Sequence, residues 1–190
     1  SDCKGKKMDP LIIEVALNGA TPKTRNPNVP KEPAEVAADA IACIEAGAHI
    51  IDVVAYPFVT DVDKVLAEYP VTEWGKYKNH FKVGGVKITM DGSPQGRTAA
   101  FTTPYLTGGP GGEKDWRGEL TFPQDLANSM VKKVYEMNVP LILHCNGDAA
   151  IDAFLTAYEF ARAGDYSRPW NVTTIHTQFM RQDQIPKFVK

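Results

Sequence analysis

Three residues in this sequence sit in or at the end of an apolar, strand-like run and carry groups able to grip a cation. They are Lys87 in Val-Lys-Ile-Thr-Met, His144 in Leu-Ile-Leu-His-Cys and His176 in Thr-Thr-Ile-His-Thr. In parallel α/β proteins, functional groups gather at the carboxyl ends of strands, where loops converge on a ligand. A histidine closing an apolar strand is costly to bury unless both ring nitrogens find partners. A lysine within such a strand is costlier still, unless it is neutralised, paired or modified. One such histidine alone is satisfied by a backbone carbonyl. Two on consecutive strands, with a lysine two elements earlier, point instead to one shared metal site. His49, which begins a strand after a helix end, and His80, in a polar loop, are read as structural.

The elements that must position these groups alternate between short β-rich runs and helical patterns, the signature of βα units over a parallel sheet. Strands are expected at 11–17, 49–55, 82–90, 139–145 and 171–177. Helices are expected at 34–46, closed by Gly47, and at 61–69, closed by Pro70. Further helices are expected at 123–138 and 149–163, with another beginning at 183. Positions 18–30, with Gly19 and three prolines, must be irregular. Positions 91–118 form a long loop rich in Gly, Thr and Pro, a length that belongs to functional or mobile segments. The fold class is therefore α/β, a partial (β/α)-barrel of about five or six parallel βα units.

The 190 residues can bury one sizeable core, yet a closed eight-stranded barrel usually takes about 250. We expect a flexible polar tail over 1–9 and a single domain over 10–190. A net charge of -2 gives no electrostatic case for nucleic acid or an anionic membrane. No apolar run reaches the roughly 20 residues of a membrane span, and no signal-peptide core follows the lysine-rich start. The three cysteines, Cys3, Cys43 and Cys145, are odd in number and widely spaced, which suits a reducing, cytoplasmic compartment.

From about Asp52 onward the sequence resembles the amidohydrolase superfamily. The resemblance is carried by Gly85-Val-Lys-Ile-Thr-Met-Asp-Gly-Ser93, then Arg97-Thr98-Ala99, His144-Cys-Asn-Gly-Asp-Ala-Ala150 and Ile175-His-Thr-Gln178. It implies that Lys87, carboxylated on its amine, bridges metal ions, and that His144 and His176 are neutral imidazole ligands suited to Zn²⁺ or another divalent ion. It places Asp148 where it can cap its helix or orient a ligand. Arg97 and Tyr105, in the long loop, could contact substrate; solvent exposure explains them equally well.

Two parts of that family's site have no counterpart in these residues. Its first strand ends in His-x-His, whereas 11–19 read Leu-Ile-Ile-Glu-Val-Ala-Leu-Asn-Gly, and its last-strand aspartate, the general base, is missing. The first fifty residues are similar instead to the opening of β-keto acid cleavage enzymes, through 11–20, Asn26-Pro-Asn-Val-Pro30 and 38–50. Those zinc-dependent barrels carry a His-x-His on the second strand, where this chain has Ile51-Asp-Val-Val54. A recombined chain follows as the expectation, with a splice near 50–53. Units from two barrels can share a core when their volumes match, and right-handed crossovers are kept throughout.

Three functions remain open. The first is metal-assisted hydrolysis of an amide-like C–N bond in a small-molecule substrate, with Asp148 and Arg97 as candidate catalytic residues. The second is a recombined barrel fragment without catalysis, which folds and forms a homo-oligomer through its open sheet edges. The third, a retro-Claisen cleavage inherited from the amino-terminal segment, is opposed by the missing His-x-His.

Overall fold

The structure, a computed structural model, describes residues 23–24, 26–30, 32–47 and 53–189. The expected tail over 1–9, the strand at 11–17 and most of the proposed junction near 50–53 lie outside the described residues. The chain divides into two units, Ser1–Val53 and Val54–Lys190.

In the first unit the described helix is α1 (Pro33–Glu45), the expected helix within a residue at each end. Pro33 occupies its first turn, where the missing N–H costs nothing. The Glu35 side chain reaches back to accept from the Glu32 N–H at 3.1 Å. Gly47, at φ +103°, ends the helix where a side chain would be strained. Ile41 and Ile44 are exposed on it.

The second unit holds β1 (Val53–Ala55, its first residue belonging to the first unit), α2 (Val62–Glu68), β2 (Phe81–Val83), β3 (Val86–Thr89), α3 (Gln124–Met137), β4 (Leu141–Cys145), α4 (Asp148–Arg162), β5 (Val172–His176) and α5 (Ile185–Phe188). This is mixed α/β with parallel strands. Strands β3, β4 and β5 form one parallel sheet in that order, with Val86 opposite Leu141 and Leu141 opposite Val172. Strands β1 and β2 pair separately. A parallel bridge from Phe58 to Lys87 joins the segment after β1 to β3.

The single strand expected at 82–90 is broken in two at Gly84–Gly85. A Cβ on Gly84 would stand 2.6 Å from the Val54 side chain, and one on Gly85 would stand 2.2 Å from the Pro140 carbonyl oxygen. Crowding by the Val54 and Tyr56 side chains at Gly84, and by the Pro140 backbone at Gly85, leaves room for glycine alone at both places, and the strand kinks there.

Alternation along the sheet sorts its residues into two faces. Val86, Ile88, Leu141, Leu143 and Cys145 are buried in the core with Ala127, Val131 and Val134 of α3 and Ala150, Ile151, Phe154 and Ala157 of α4. Lys87, Thr89, Ile142 and His144 take the opposite, half-buried face. Helix α3 closes on Asn138 and α4 on Ala163, both in the left-handed region.

The long loop has neither helix nor strand, yet it is cross-braced. Phe101 N–H donates to the Arg117 carbonyl at 2.7 Å and Tyr105 N–H to Trp116 at 2.8 Å. No helix among the described residues is long and apolar enough to cross a membrane.

Candidate metal-binding site

The parallel register sets where each candidate ligand stands. Lys87 lies opposite Ile142, and Thr89 lies opposite His144, so Lys87 and His144 share the face turned away from the core. His176 lies opposite Cys145, whose side chain is buried in the core. Regular alternation would therefore aim His176 at the helix side. Instead its backbone is left-handed (φ +73°), as is that of Thr177 (φ +47°), and the Thr177 N–H donates to the Cys145 carbonyl at 2.8 Å. This local break in the pleat brings the His176 ring edge-to-face against His144, with centroids 4.7 Å apart and planes at 77°. Non-glycine residues in this region cost of order 1–3 kcal/mol each, and such strain gathers at functional sites.

The imidazole of His144 is fixed by its surroundings. Its Nε2 lies 3.1 Å from the Gly92 carbonyl oxygen and 3.4 Å from Asp91 Oδ1. The Asn146 amide nitrogen also stands 3.2 Å from Nε2, but it already donates to the Gly92 carbonyl at 2.9 Å. Two acceptors facing Nε2 favour a proton there, which leaves Nδ1 as the ring's lone pair. A histidine that gives one N–H to a carbonyl keeps its other nitrogen as a lone-pair donor, the form a metal ligand takes.

Asp91 anchors this arrangement. Its carboxylate is 1% exposed and accepts three backbone N–H bonds, from Ala100 at 3.0 Å, Asn146 at 2.8 Å and Gly147 at 2.8 Å. It ties the end of β3 to the start of the long loop and to the step from β4 into α4. Sequence reasoning placed Asp91 in a motif but gave it no role; the signal was an acidic residue directly after an apolar strand.

The electrostatics tie the groups together. Burial pushes the Lys87 amine below its ordinary range, against an opposing pull from the Cys145 side chain. Burial also lowers His176, and electrostatic interaction with His144 and Lys87 lowers it further, with Asp91 opposing them. Burial pushes the Cys145 thiol up to about 12, so it stays protonated at neutral pH and is no nucleophile.

Asp148 and Arg97 have other partners. The Asp148 carboxylate accepts from the Thr102 N–H at 2.9 Å, from the Thr102 hydroxyl and from Arg181 Nη1 at 2.9 Å. Burial raises this carboxyl, but the Thr102 and Arg181 bonds outweigh it and hold it below the usual carboxylate range. Arg97 Nη1 donates to the Gly109 carbonyl at 3.0 Å, with the carbonyls of Thr107 and Gly108 at 3.4 Å. The Tyr105 hydroxyl donates to the Ala99 carbonyl at 2.9 Å. His80 sits in a tight turn at φ +62°, and His49 lies outside the described residues.

Among the described residues, no group of three or more His, Cys, Asp or Glu could hold a metal ion. The two imidazoles fit a divalent ion by type and proximity. Lys87 fits only as a neutral amine or after conversion to an oxygen ligand, and the direction of its shift favours the neutral form that such a conversion requires.

Residues 39–190 match the model of the amidohydrolase family, and residues 10–57 match that of beta-keto acid cleavage enzyme. The two matches fall on one short chain, consistent with a two-family hybrid. Among solved structures, the chain is similar to an uncharacterized metal-dependent hydrolase from Pyrococcus furiosus, at 25% identity and a TM-score of 0.57 over 81% of this chain. It shares its fold with another such hydrolase from Pyrococcus horikoshii OT3, at 23% identity and a TM-score of 0.56 over 80% of this chain. The chain spans 30% and 29% of those two proteins.

Proposed function

The chain belongs to the amidohydrolase family, and on that premise we propose that it is a metal-dependent hydrolase of amide-like C–N bonds with Lys87, His144 and His176 as its ligands. The observation that carries this reading is the edge-to-face meeting of His144 and His176, made possible by left-handed backbone at His176. A divalent ion held there supplies Lewis acidity toward a carbonyl and acidifies water. His144 contributes Nδ1 while its Nε2–H stays on the Gly92 carbonyl. The neutral amine of Lys87 would add to carbon dioxide, forming an N–C bond as one C=O π bond opens onto oxygen and one amine proton passes to water. The resulting carbamate replaces a costly buried cation with an oxygen donor. Asp91 holds His144 in place through the backbone it gathers. Asp148 and Arg97 act by fixing the loops beside the mouth, Asp148 through Thr102 and Arg97 through the carbonyls at 107–109.

The wider reading is a partial barrel of five or six βα units spliced near 50–53, working on a small molecule in the cytoplasm. The division of the chain at Val53, the two family matches and the free thiols of Cys43 and Cys145 support it. Zinc is the ion whose ligand preferences suit two imidazoles best, with manganese and nickel as competitors.

Metal content tests the proposal. After refolding with zinc, manganese or nickel and bicarbonate, wild-type protein retains close to one equivalent, and His144→Ala or His176→Ala loses it. Retention below about a tenth of an equivalent in the wild type overturns the proposal.

A second reading has its own observation. Among the described residues β5 pairs with β4 and with no further strand, so the β3–β4–β5 sheet leaves an open edge there. A non-catalytic hybrid that covers such an edge by self-association accounts for it. Light scattering decides: a monomer at micromolar concentration removes that reading and leaves the hydrolase untouched.

A further inference from the structure

At the amino ends of the strands, opposite the histidine pair, lies a feature that hydrolysis does not use. Residues 74–82 read Trp-Gly-Lys-Tyr-Lys-Asn-His-Phe-Lys, an alternation of lysines and aromatics in a chain of net charge -2. They fold back in a tight hairpin. Lys78 N–H donates to the Phe81 carbonyl at 2.8 Å and Phe81 N–H to the Lys78 carbonyl at 3.1 Å. Asn79 and His80, both at positive φ, form the two-residue turn between them. From this hairpin the chain runs through β2 and the Gly84–Gly85 kink into β3.

Against the hairpin opens a groove of about 620 Å³, within the range of small-molecule sites. Its walls are aromatic. Tyr69 and Phe81 lean on each other with centroids 5.8 Å apart, and Tyr77 is half exposed. Trp74 is buried at the base, where its indole N–H donates to the Tyr69 carbonyl at 2.9 Å. Three lysines, 76, 78 and 82, line the groove against one acidic residue, Glu73. Lys82 sets its ammonium 4.3 Å from the Tyr77 ring centroid, so cation and ring already share one place in the groove.

We propose that this groove binds a small planar anion, a flat ring bearing a phosphate, as in a nucleoside monophosphate or an aryl phosphate. The chemistry on each side matches. A flat ring stacks on exposed aromatic faces irrespective of its substituents. Lysines act as point charges toward phosphate and need no bidentate geometry. The surplus of two positive charges around an apolar-walled groove matches an anion with an apolar body better than inorganic phosphate or a neutral ring. This site is independent of the metal reading and stands or falls without it.

Titration calorimetry with adenosine monophosphate, phenyl phosphate and inorganic phosphate tests the proposal, with amide shifts of residues 74–83 locating the binding. The two ring phosphates bind saturably with Kd near or below about 1 mM, and inorganic phosphate at least about tenfold more weakly. Lys78→Ala and Lys82→Ala each weaken adenosine monophosphate by about fivefold or more without lowering Tm, and salt weakens it further. Tyr77→Ala weakens the ring phosphates selectively. Phenyl phosphate binding as well as the nucleotide assigns recognition to ring and phosphate alone; the nucleotide binding better assigns a part to the ribose or base. Three results overturn the proposal. One is no saturable binding at about 10 mM. Another is binding indifferent to the lysine variants. The third is an oligoadenylate that binds about a hundredfold tighter than the mononucleotide, which would make the surface one for nucleic acid.

Discussion

His176 lies opposite Cys145 in the register of the sheet, yet its ring rests 4.7 Å from that of His144, on the other face. Two successive left-handed residues, His176 and Thr177, produce that reversal. If the reversal serves ligand placement, the backbone conformation matters as much as the imidazole. Thr177→Gly relieves the left-handed strain and keeps metal retention at the wild-type level. Thr177→Pro removes the N–H that donates to the Cys145 carbonyl and cannot adopt positive φ, so retention falls at least about tenfold. Metal content after gel filtration, read beside far-UV circular dichroism, separates lost placement from lost folding. Equal retention in both variants would show that the reversal is incidental.

Lys87 carries the opposite trade between stability and use. Its amine is pushed down by burial, so the charged form is disfavoured in the folded state. The folded pKa lies below the unfolded value of 10.5. The unfolded chain therefore binds more protons across that window, and stability rises with pH through it. Below that window the cost of burying the charge is fully present. Lys87→Met removes it while keeping the side chain's length, and Tm in metal-free, bicarbonate-free buffer rises by a few degrees, about 2–4 °C. The same variant retains no metal. A Tm that falls would mean the amine has a compensating partner in the folded protein.

Much of this arrangement could be read from the residues alone, and the failures have definite causes. The β4–α4 unit was legible because Leu-Ile-Leu-His-Cys is a continuous apolar run followed by Gly147 and a strong helical pattern. The break in β2–β3 was not, because two glycines in an apolar run read as a weakened strand until the neighbours that crowd them are known. Asp91 was illegible for a different reason: two of its three donors lie 55 and 56 residues away and are backbone groups, which carry no residue-type signature. The turn of His176 toward His144 was also hidden, since glycine, the usual mark of positive φ, is absent there. Asp148 sits at the expected helix start, but its carboxylate serves the long loop and Arg181 in place of its own helix.

Asp148 gives the acid limb of stability. Its folded pKa lies below 3.8, so its contribution is present above that value and is lost as pH falls through the depressed folded pKa. Asp148→Asn weakens the bonds to Thr102 and Arg181 and lowers stability at pH 7 by about 1–3 kcal/mol. It also flattens the loss of stability below pH 3.8. Urea midpoints across that range test both statements, and an unchanged acid limb would assign it to other carboxylates.

Asp91 and Gly147 form the joint on which the candidate site rests. Asp91→Ala strands three backbone N–H groups, one of them on Gly147, at about 1–3 kcal/mol each. Asp91→Asn keeps the volume but turns an N–H₂ toward one or more of those donors, and it destabilises by about 2–4 kcal/mol. Gly147 answers to geometry instead of charge, since a Cβ there would stand 1.8 Å from the Ala100 carbonyl oxygen, a backbone atom with no room to move. Gly147→Ala therefore costs about 3 kcal/mol or more. Gly164→Ala, at φ +82° but with nothing within 4 Å of the added carbon, costs only about 1 kcal/mol. Chemical denaturation of the four variants orders them with Asp91→Ala and Gly147→Ala lowest and Gly164→Ala nearest wild type. A Gly147→Ala protein as stable as Gly164→Ala would mean that the joint between the long loop and α4 is looser than its hydrogen bonds describe, and that Asp91 does not hold His144 in place.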